Sequence, residues 1–222
     1  MNVVVIGLGN FGASLAKALT SMGHDVLGVD KNIEKTEFYK DKIANTIALD
    51  ATDPHTLRLL PLKDADVFVV AIGDDFGISV MIAALLKKMG VEKIICREFS
   101  SIHLTVLNAI GITNTINPEW ESATILAQKL ALTGIHHLFN ITDTLKIVDM
   151  NVPRSLVGEK FLPVAFREQT HLKVIALKRD EKTLYSSSKP INDQDIEEIV
   201  YKRDDILVLS GELKDIRKFC KS

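Results

Sequence analysis

"VIGLGNFG", Val5 to Gly12, sets Gly7, Gly9 and Gly12 in the spacing G-x-G-x-x-G. Alone that spacing is a weak signal, but three surrounding conditions give it meaning. It ends an apolar strand, "NVVVIG" (Asn2–Gly7), and opens a helix, "FGASLAKALTSMG" (Phe11–Gly23). It lies inside a βαβ unit. An acid, Asp30, closes the next strand, "DVLGVD" (Asp25–Asp30), about 20 residues on, where it suits a ribose hydroxyl pair. Gly7 then permits the tight turn, Gly9 lets backbone approach a phosphate, and Gly12 lets the helix pack on the strand. The unpaired first N–H groups of the helix offer positive partial charge to that phosphate. An acid at Asp30 favours a free 2′-hydroxyl, and Lys31 alone does not argue for a 2′-phosphate. The competing reading is that the glycines serve turns and packing only.

Outward from this stretch, strand and helix patterns keep alternating. "ANTIALD" (Ala44–Asp50), "DVFVVAIG" (Asp66–Gly73), "KIICR" (Lys93–Arg97) and "TNTIN" (Thr113–Asn117) read as strands. "NIEKTEFYKDK" (Asn32–Lys42), "DPHTLRLL" (Asp53–Leu60), "DFGISVMIAALLKKMG" (Asp75–Gly90) and "SIHLTVLNAIG" (Ser101–Gly111) read as helices with capping residues or glycine stops. The order predicts an α/β fold, a Rossmann-like doubly wound parallel sheet. "PEWESATILAQKLALTG" (Pro118–Gly134) predicts a further helix. Its Trp120, Ile125, Leu126, Leu130 and Leu132 spread over a wide arc, which asks for more than one partner surface. A crossover or dimer-forming helix and a last helix lying on its own sheet both satisfy it. The grammar then changes. His136–Thr144 reads as a connection, Thr144–Val152 as a half-buried strand, and Val157–Glu168 as one or two short helices interrupted by Pro163. A hairpin turns across Arg179–Lys182, a polar connection runs over Ser188–Ile199, a buried strand over Asp204–Gly211, and a helix closes the chain. The expected domains are 1–134, nucleotide-binding and including the helix 118–134, and 135–222, a smaller α+β unit.

Composition narrows the function classes. Of 222 residues 46% are hydrophobic, the formal net charge is −2, and no basic stripe stands out. Nucleic acid is therefore not an expected partner. The two cysteines, Cys96 and Cys220, give no disulfide framework and fit a reducing compartment, with Cys96 reading as core filler. The start of the chain lacks the features of a signal peptide, and no apolar run approaches the roughly 20 residues of a membrane span. Action at a membrane would require a partner.

Other strand ends point at the same crevice. Asp50, Ala51 and Thr52 in "LDATD" can flank an adenine, and Ala71, Ile72, Gly73 and Asp74 in "AIGDD" stand at the switch point of the sheet. Asp50 and Asp74 read equally well as helix-start residues. Arg97 either reaches a phosphate or pairs with an acid. A dehydrogenase would need a general acid or base, and His136, His137 and His171 read as loop histidines. No C-x-x-C, no H-x-x-x-H with an acid and no G-x-S-x-G is present.

"VVVIGLGNFGASLAKALTSMGHDVLGVDKN", "IALDATD", "DVFVVAIGDD" and "INPE", with "VLSG" in the small second unit, together resemble the regulator of potassium conductance (RCK) family. Within it the chain is similar to Ktr/Trk-type cytosolic subunits, with TrkA-N and TrkA-C domains. The resemblance implies a non-enzymatic, cytoplasmic protein. It would be a homodimer assembling into an octameric ring at the inner face of the membrane, held there by a membrane-embedded potassium-translocating subunit. Exchange of ATP for ADP, or NADH for NAD, would gate the pore. By position Gly7, Gly9, Asn10, Phe11 and Gly12 match the phosphate loop, and Asp30 the ribose acid. Asp50, Ala51 and Thr52 match the adenine segment, and Ile72 and Gly73 the switch point. Glu119 matches an acid that holds a divalent cation in some relatives; it reads also as a first-turn acid favoured by the helix dipole. Many ATP-responsive relatives carry Arg where this chain has Asn10, which shifts the expectation toward ADP, AMP or NAD. Some relatives bind cyclic di-AMP in the second unit, where Arg167 and Pro190 fall near matching positions. The alternative function is an NAD-dependent oxidoreductase, which would need a base facing the nicotinamide.

Overall fold

A computed structural model describes residues 1–131, 134–180, 182–188 and 198–220, apart from the side chain at position 129. The chain divides into two compact units, Met1–Glu121 and Ser122–Ser222. In the first, β1 (Asn2–Ile6), β2 (Asp25–Asp30), β3 (Asn45–Ala48), β4 (Val67–Val70), β5 (Ile94–Arg97) and β6 (Thr115–Ile116) form one sheet in the order β3-β2-β1-β4-β5-β6. Every pairing is parallel. Helices α1 (Asn10–Ser21), α2 (Ile33–Tyr39), α3 (Pro54–Leu57), α4 (Phe76–Lys88) and α5 (Ser101–Ala109) provide the crossovers. The doubly wound sheet is therefore present, and its order reverses between β1 and β4.

The continuous apolar runs occupy the strands paired on both edges. β4 is buried throughout and β1 at all positions but Asn2. Alternate residues of β1 feed the two faces: Val4 and Ile6 join Phe68, Ile82 and Leu86, while Val3 and Val5 join Leu8, Ala16 and Val69. Burying one side chain such as Phe68 contributes about 1.5–3 kcal/mol. Cys96 is fully buried in the first layer, and burial pushes its thiol up to about 12. Local capping fixes the helix starts: Asn32, Asp53, Asp75 and Ser100 each accept an N–H from the first turn of α2, α3, α4 and α5. α3 is shorter than the sequence suggests. It ends at Leu57, Pro61 follows closely, and Leu59 points outward.

The division between the units falls inside α6 (Pro118–Ala131), whereas the sequence places the boundary after that helix. Trp120, Ile125, Leu126 and Leu130 on α6 are all exposed. Leu132 lies outside the described residues.

The second unit is an antiparallel sheet in the order β10-β9-β11-β8-β7. Its strands are β7 (Ile135–Asn140), β8 (Leu145–Asn151), β9 (Lys173–Arg179), β10 (Lys182–Ser186) and β11 (Ile206–Glu212). A 3-10 turn (Arg154–Leu156), α7 (Pro163–Thr170) and α8 (Leu213–Phe219) accompany it. The core gathers Val148, Phe161, Leu172, Leu177, Leu207 and Ile216. Two expectations change. β7 takes up His136–Asn140 of the connection drawn over His136–Thr144, the rest joining it to β8; the strand is hidden in the sequence because a register shift between Ile135 and His137 breaks the two-residue alternation of a regular strand. Pro163 opens α7 at its first position, where a missing N–H costs nothing, and does not interrupt it. Most of the polar connection Ser188–Ile199, Pro190 included, lies outside the described residues.

Candidate functional site

The glycine turn joins β1 to α1. Gly7 has φ +99°, a left-handed conformation that favours glycine, and its N–H donates to the Val29 carbonyl at 2.7 Å. A Cβ on Gly12 would collide with the Gly7 carbonyl oxygen and stand 2.9 Å from the Ala71 methyl, so only glycine lets α1 pack this closely. A Cβ on Gly9 would meet nothing within 4 Å. α1 starts at Asn10 with no side-chain cap and no acid in its first turn. Its leading N–H groups and the positive end of its dipole remain available to an anion.

Asp30 ends β2 nearly buried, at 9% exposure. Its carboxylate accepts the Leu8 N–H at 2.8 Å and the Asn32 N–H at 2.9 Å, and Lys35 Nζ approaches to 3.5 Å. One side chain thus pins the glycine turn to the end of the neighbouring strand. Asp30 also lines a 360 Å³ cleft at the ends of β1, β2, β3 and β4. The cleft brings together Gly7, Asp30, Lys31, Asp50, Ala51, Thr52, Ile72 and Asp74 of the sequence-derived set. Asp50 accepts both the N–H and the hydroxyl of Thr52, at 2.9 and 2.7 Å, and these bonds hold its carboxyl below the usual range. The helix-start role falls not on Asp50 and Asp74 but on Asp53 and Asp75. Sequence reading missed Lys35, Ile78 and Met81, which also line the cleft. Lys35 carries a weak signal in its place on the first turn of α2, five residues past the acid.

Gly9, Asn10, Phe11, Gly12, Ala71, Gly73, Arg97 and Glu119 lie outside the cleft lining. Four of them form a second group. Arg97, at the end of β5, pairs with Glu119 on the first turn of α6. Its guanidinium lies against Gly73, where any Cβ would clash with it, and 5.7 Å from the Phe11 ring centroid. Arg97 Nε is buried without a hydrogen-bond partner. Among the described residues no group of three or more His, Cys, Asp or Glu is placed to hold a metal ion. His103 on α5 also went unnoticed in the sequence. It is fully buried against Phe76 and Phe99, and burial pushes its imidazole below the ordinary value.

In the second unit His136 Nε2 contacts Asn151 Oδ1 at 2.9 Å, and His137 Nδ1 contacts Asp149 at 2.9 Å. Both histidines stand on β7 beside β8, not in a loop. Arg167 is in the last turn of α7, and His171 caps that helix with φ +60°.

A parallel sheet of this order, a glycine turn at its switch point and a buried acid at the end of β2 define a Rossmann-like domain. The chain belongs to the TrkA-N domain family, whose model matches residues 3–118. It is 28% identical over 217 residues to the Ktr system potassium uptake protein C of Bacillus subtilis (strain 168), covering 98% of this chain and 95% of that protein. Its fold is like the GsuK RCK domain, with a TM-score of 0.62 and 17% identity over 97% of this chain. It spans less than half of that longer chain, 46%. The NAD(P)-binding domain of an exopolyphosphatase-related protein from Archaeoglobus fulgidus matches 58% of this chain and 96% of its own, with a TM-score of 0.53 and 25% identity.

Proposed function

We propose that this chain is an adenine-nucleotide-binding regulatory subunit of a potassium uptake system, and that it binds its nucleotide without turning it over. The observation that carries the nucleotide part is the Asp30 carboxylate, held by the glycine turn and facing the cleft. The lining charges support the polarity. Asp30, Asp50, Asp74 and Asp75 outnumber Lys31 and Lys35, so the cleft suits the neutral, hydrogen-donating end of a ligand: ribose hydroxyls and an adenine amino group. The phosphates then fall to the uncapped start of α1, with Asn10 and Phe11, and to Arg97 beyond it. Similarity to a potassium uptake protein along nearly the whole chain supports the transport role.

The partner in this reading is a membrane-embedded potassium-translocating subunit, with the chain on its cytoplasmic side. Among the described residues no helix is long and apolar enough to cross a membrane. The exposed apolar residues of α6 support a homo-oligomer, and we assign α6 to the nucleotide-binding domain, 1–134. A divalent cation at Glu119 would share that carboxylate with Arg97, which takes only one of its oxygens. Cyclic di-AMP near Arg167 is a separate proposal for the second unit. Equilibrium binding of AMP, ADP, ATP, NAD and NADH to the purified protein, with its size measured in each state, tests the reading. Failure of every adenine compound to bind sinks it; steady oxidation of NADH favours the oxidoreductase instead.

A further inference from the structure

In a sheet of this order the half built from β1 to β3 holds one nucleotide, and the half from β4 to β6 holds the second nucleoside of a dinucleotide. Here the two halves differ. The cleft opens at the ends of β1, β2 and β3 and runs past the end of β4, at Ile72, Asp74 and Asp75, to the start of α4; no residue at the ends of β5 and β6 lines it, neither Arg97 nor Glu119. At the end of β4 the Arg97 guanidinium covers Gly73 so closely that the site of a Cβ is already filled. Glu119 pairs with that guanidinium, and Arg97 is mostly shielded, at 16% side-chain exposure. We propose that the Arg97–Glu119 pair is a specificity latch, which closes the second-nucleoside half of the crevice and makes the protein select adenosine mono- and diphosphates over dinucleotides.

The latch discriminates in two ways. Its bulk stands where a second nucleoside would continue past the phosphates. Its charge, near Phe11 on the first turn of α1, faces the phosphate end of a shorter ligand. A terminal phosphate monoester carries more negative charge than the diester of a dinucleotide, and ADP carries one charge more than AMP, so the guanidinium favours ADP over AMP and both over NAD. Glu119 orients the guanidinium and keeps it over Gly73, making it a positioning residue. The proposal rests on adenosine occupying the cleft at Asp30.

The test is equilibrium binding of AMP, ADP and NAD to the full chain and to Arg97→Ala and Glu119→Gln, each checked for native folding by circular dichroism and thermal melting. The wild-type protein is expected to bind ADP at least about tenfold more tightly than NAD, a gap of about 1.4 kcal/mol. Arg97→Ala should weaken ADP and strengthen NAD, bringing their ratio near one. Glu119→Gln should strengthen NAD while ADP still binds more tightly than AMP, a split that loss of the arginine cannot give. Equal affinity of the wild-type protein for ADP and NAD overturns the latch, as does an unchanged ratio in a folded Arg97→Ala protein. If AMP binds in either case, the latch alone is wrong; if AMP fails to bind the wild-type protein, the adenosine assignment falls with it.

Discussion

Replacing Asp30 with alanine separates what this carboxylate does for folding from what it does for binding. In the folded protein it accepts the Leu8 amide at 2.8 Å in a buried setting and the Asn32 amide at 2.9 Å in a partly buried one. Alanine leaves the Leu8 N–H without an acceptor, while the Asn32 N–H can reach water. The expected structural cost is about 2 kcal/mol, the penalty of one buried unsatisfied donor. In a chain of this size that lowers the melting temperature by about 4–8 °C. Binding loses a charge-assisted contact to the ribose hydroxyl pair, about 2–3 kcal/mol, or about 30- to 150-fold in Kd. Because the ribose is common to all candidate ligands, AMP, ADP and NAD should weaken by the same factor. Asp30→Asn keeps an acceptor for one amide but loses the charge. It should recover part of the melting temperature and little of the affinity. Calorimetric titration at a temperature well below both melting points measures the two effects apart. An Asp30→Ala protein that stays folded and binds AMP within about threefold of wild type refutes the ribose assignment.

Gly12→Ala forces a methyl against the Gly7 carbonyl and the Ala71 side chain, and should cost about 1–3 kcal/mol or more in urea unfolding. An unchanged midpoint would show that α1 can move off the sheet. Cys96, its thiol pushed up to about 12 by burial, should resist a thiol reagent at pH 8 until the chain is denatured. Rapid labelling of Cys96 in the native protein would contradict the core assignment. In the second unit burial pushes the fully buried Asp205 carboxyl up. Its two bonds from Arg179 at 2.6 and 2.8 Å and one from the Lys202 amide at 2.8 Å outweigh that and hold it below the usual range. A carboxyl lowered on folding contributes its stability above the unfolded value near pH 4 and loses it as pH falls through the folded value. Asp205→Asn should therefore destabilise the protein at pH 7 by about 3 kcal/mol and flatten the acid limb of a stability–pH curve. An acid limb identical to wild type would count against the pair.

The amino-acid order by itself determined the alternating strands and helices, the glycine turn and the acid at the end of β2. Each of these is written in local spacing: continuous apolar runs for buried strands, 3.6-residue periodicity for helices, three glycines in a fixed pattern. The second unit was less legible because β7 carries a bulge, which removes the alternation that marks a strand. Only the tertiary structure decided that Asp30 holds the Leu8 amide, that Lys35 comes to the same carboxylate, and that Arg97 lies over Gly73 and pairs with Glu119. Apart from Lys35 and Asp30, these partners are distant in the chain; Leu8 and Asp30, and likewise Arg97 and Glu119, are 22 positions apart. They meet because parallel register aligns the ends of β1, β2, β4 and β5 along one edge of the sheet, and that register is set by the packing of all its strands together, which no local pattern specifies.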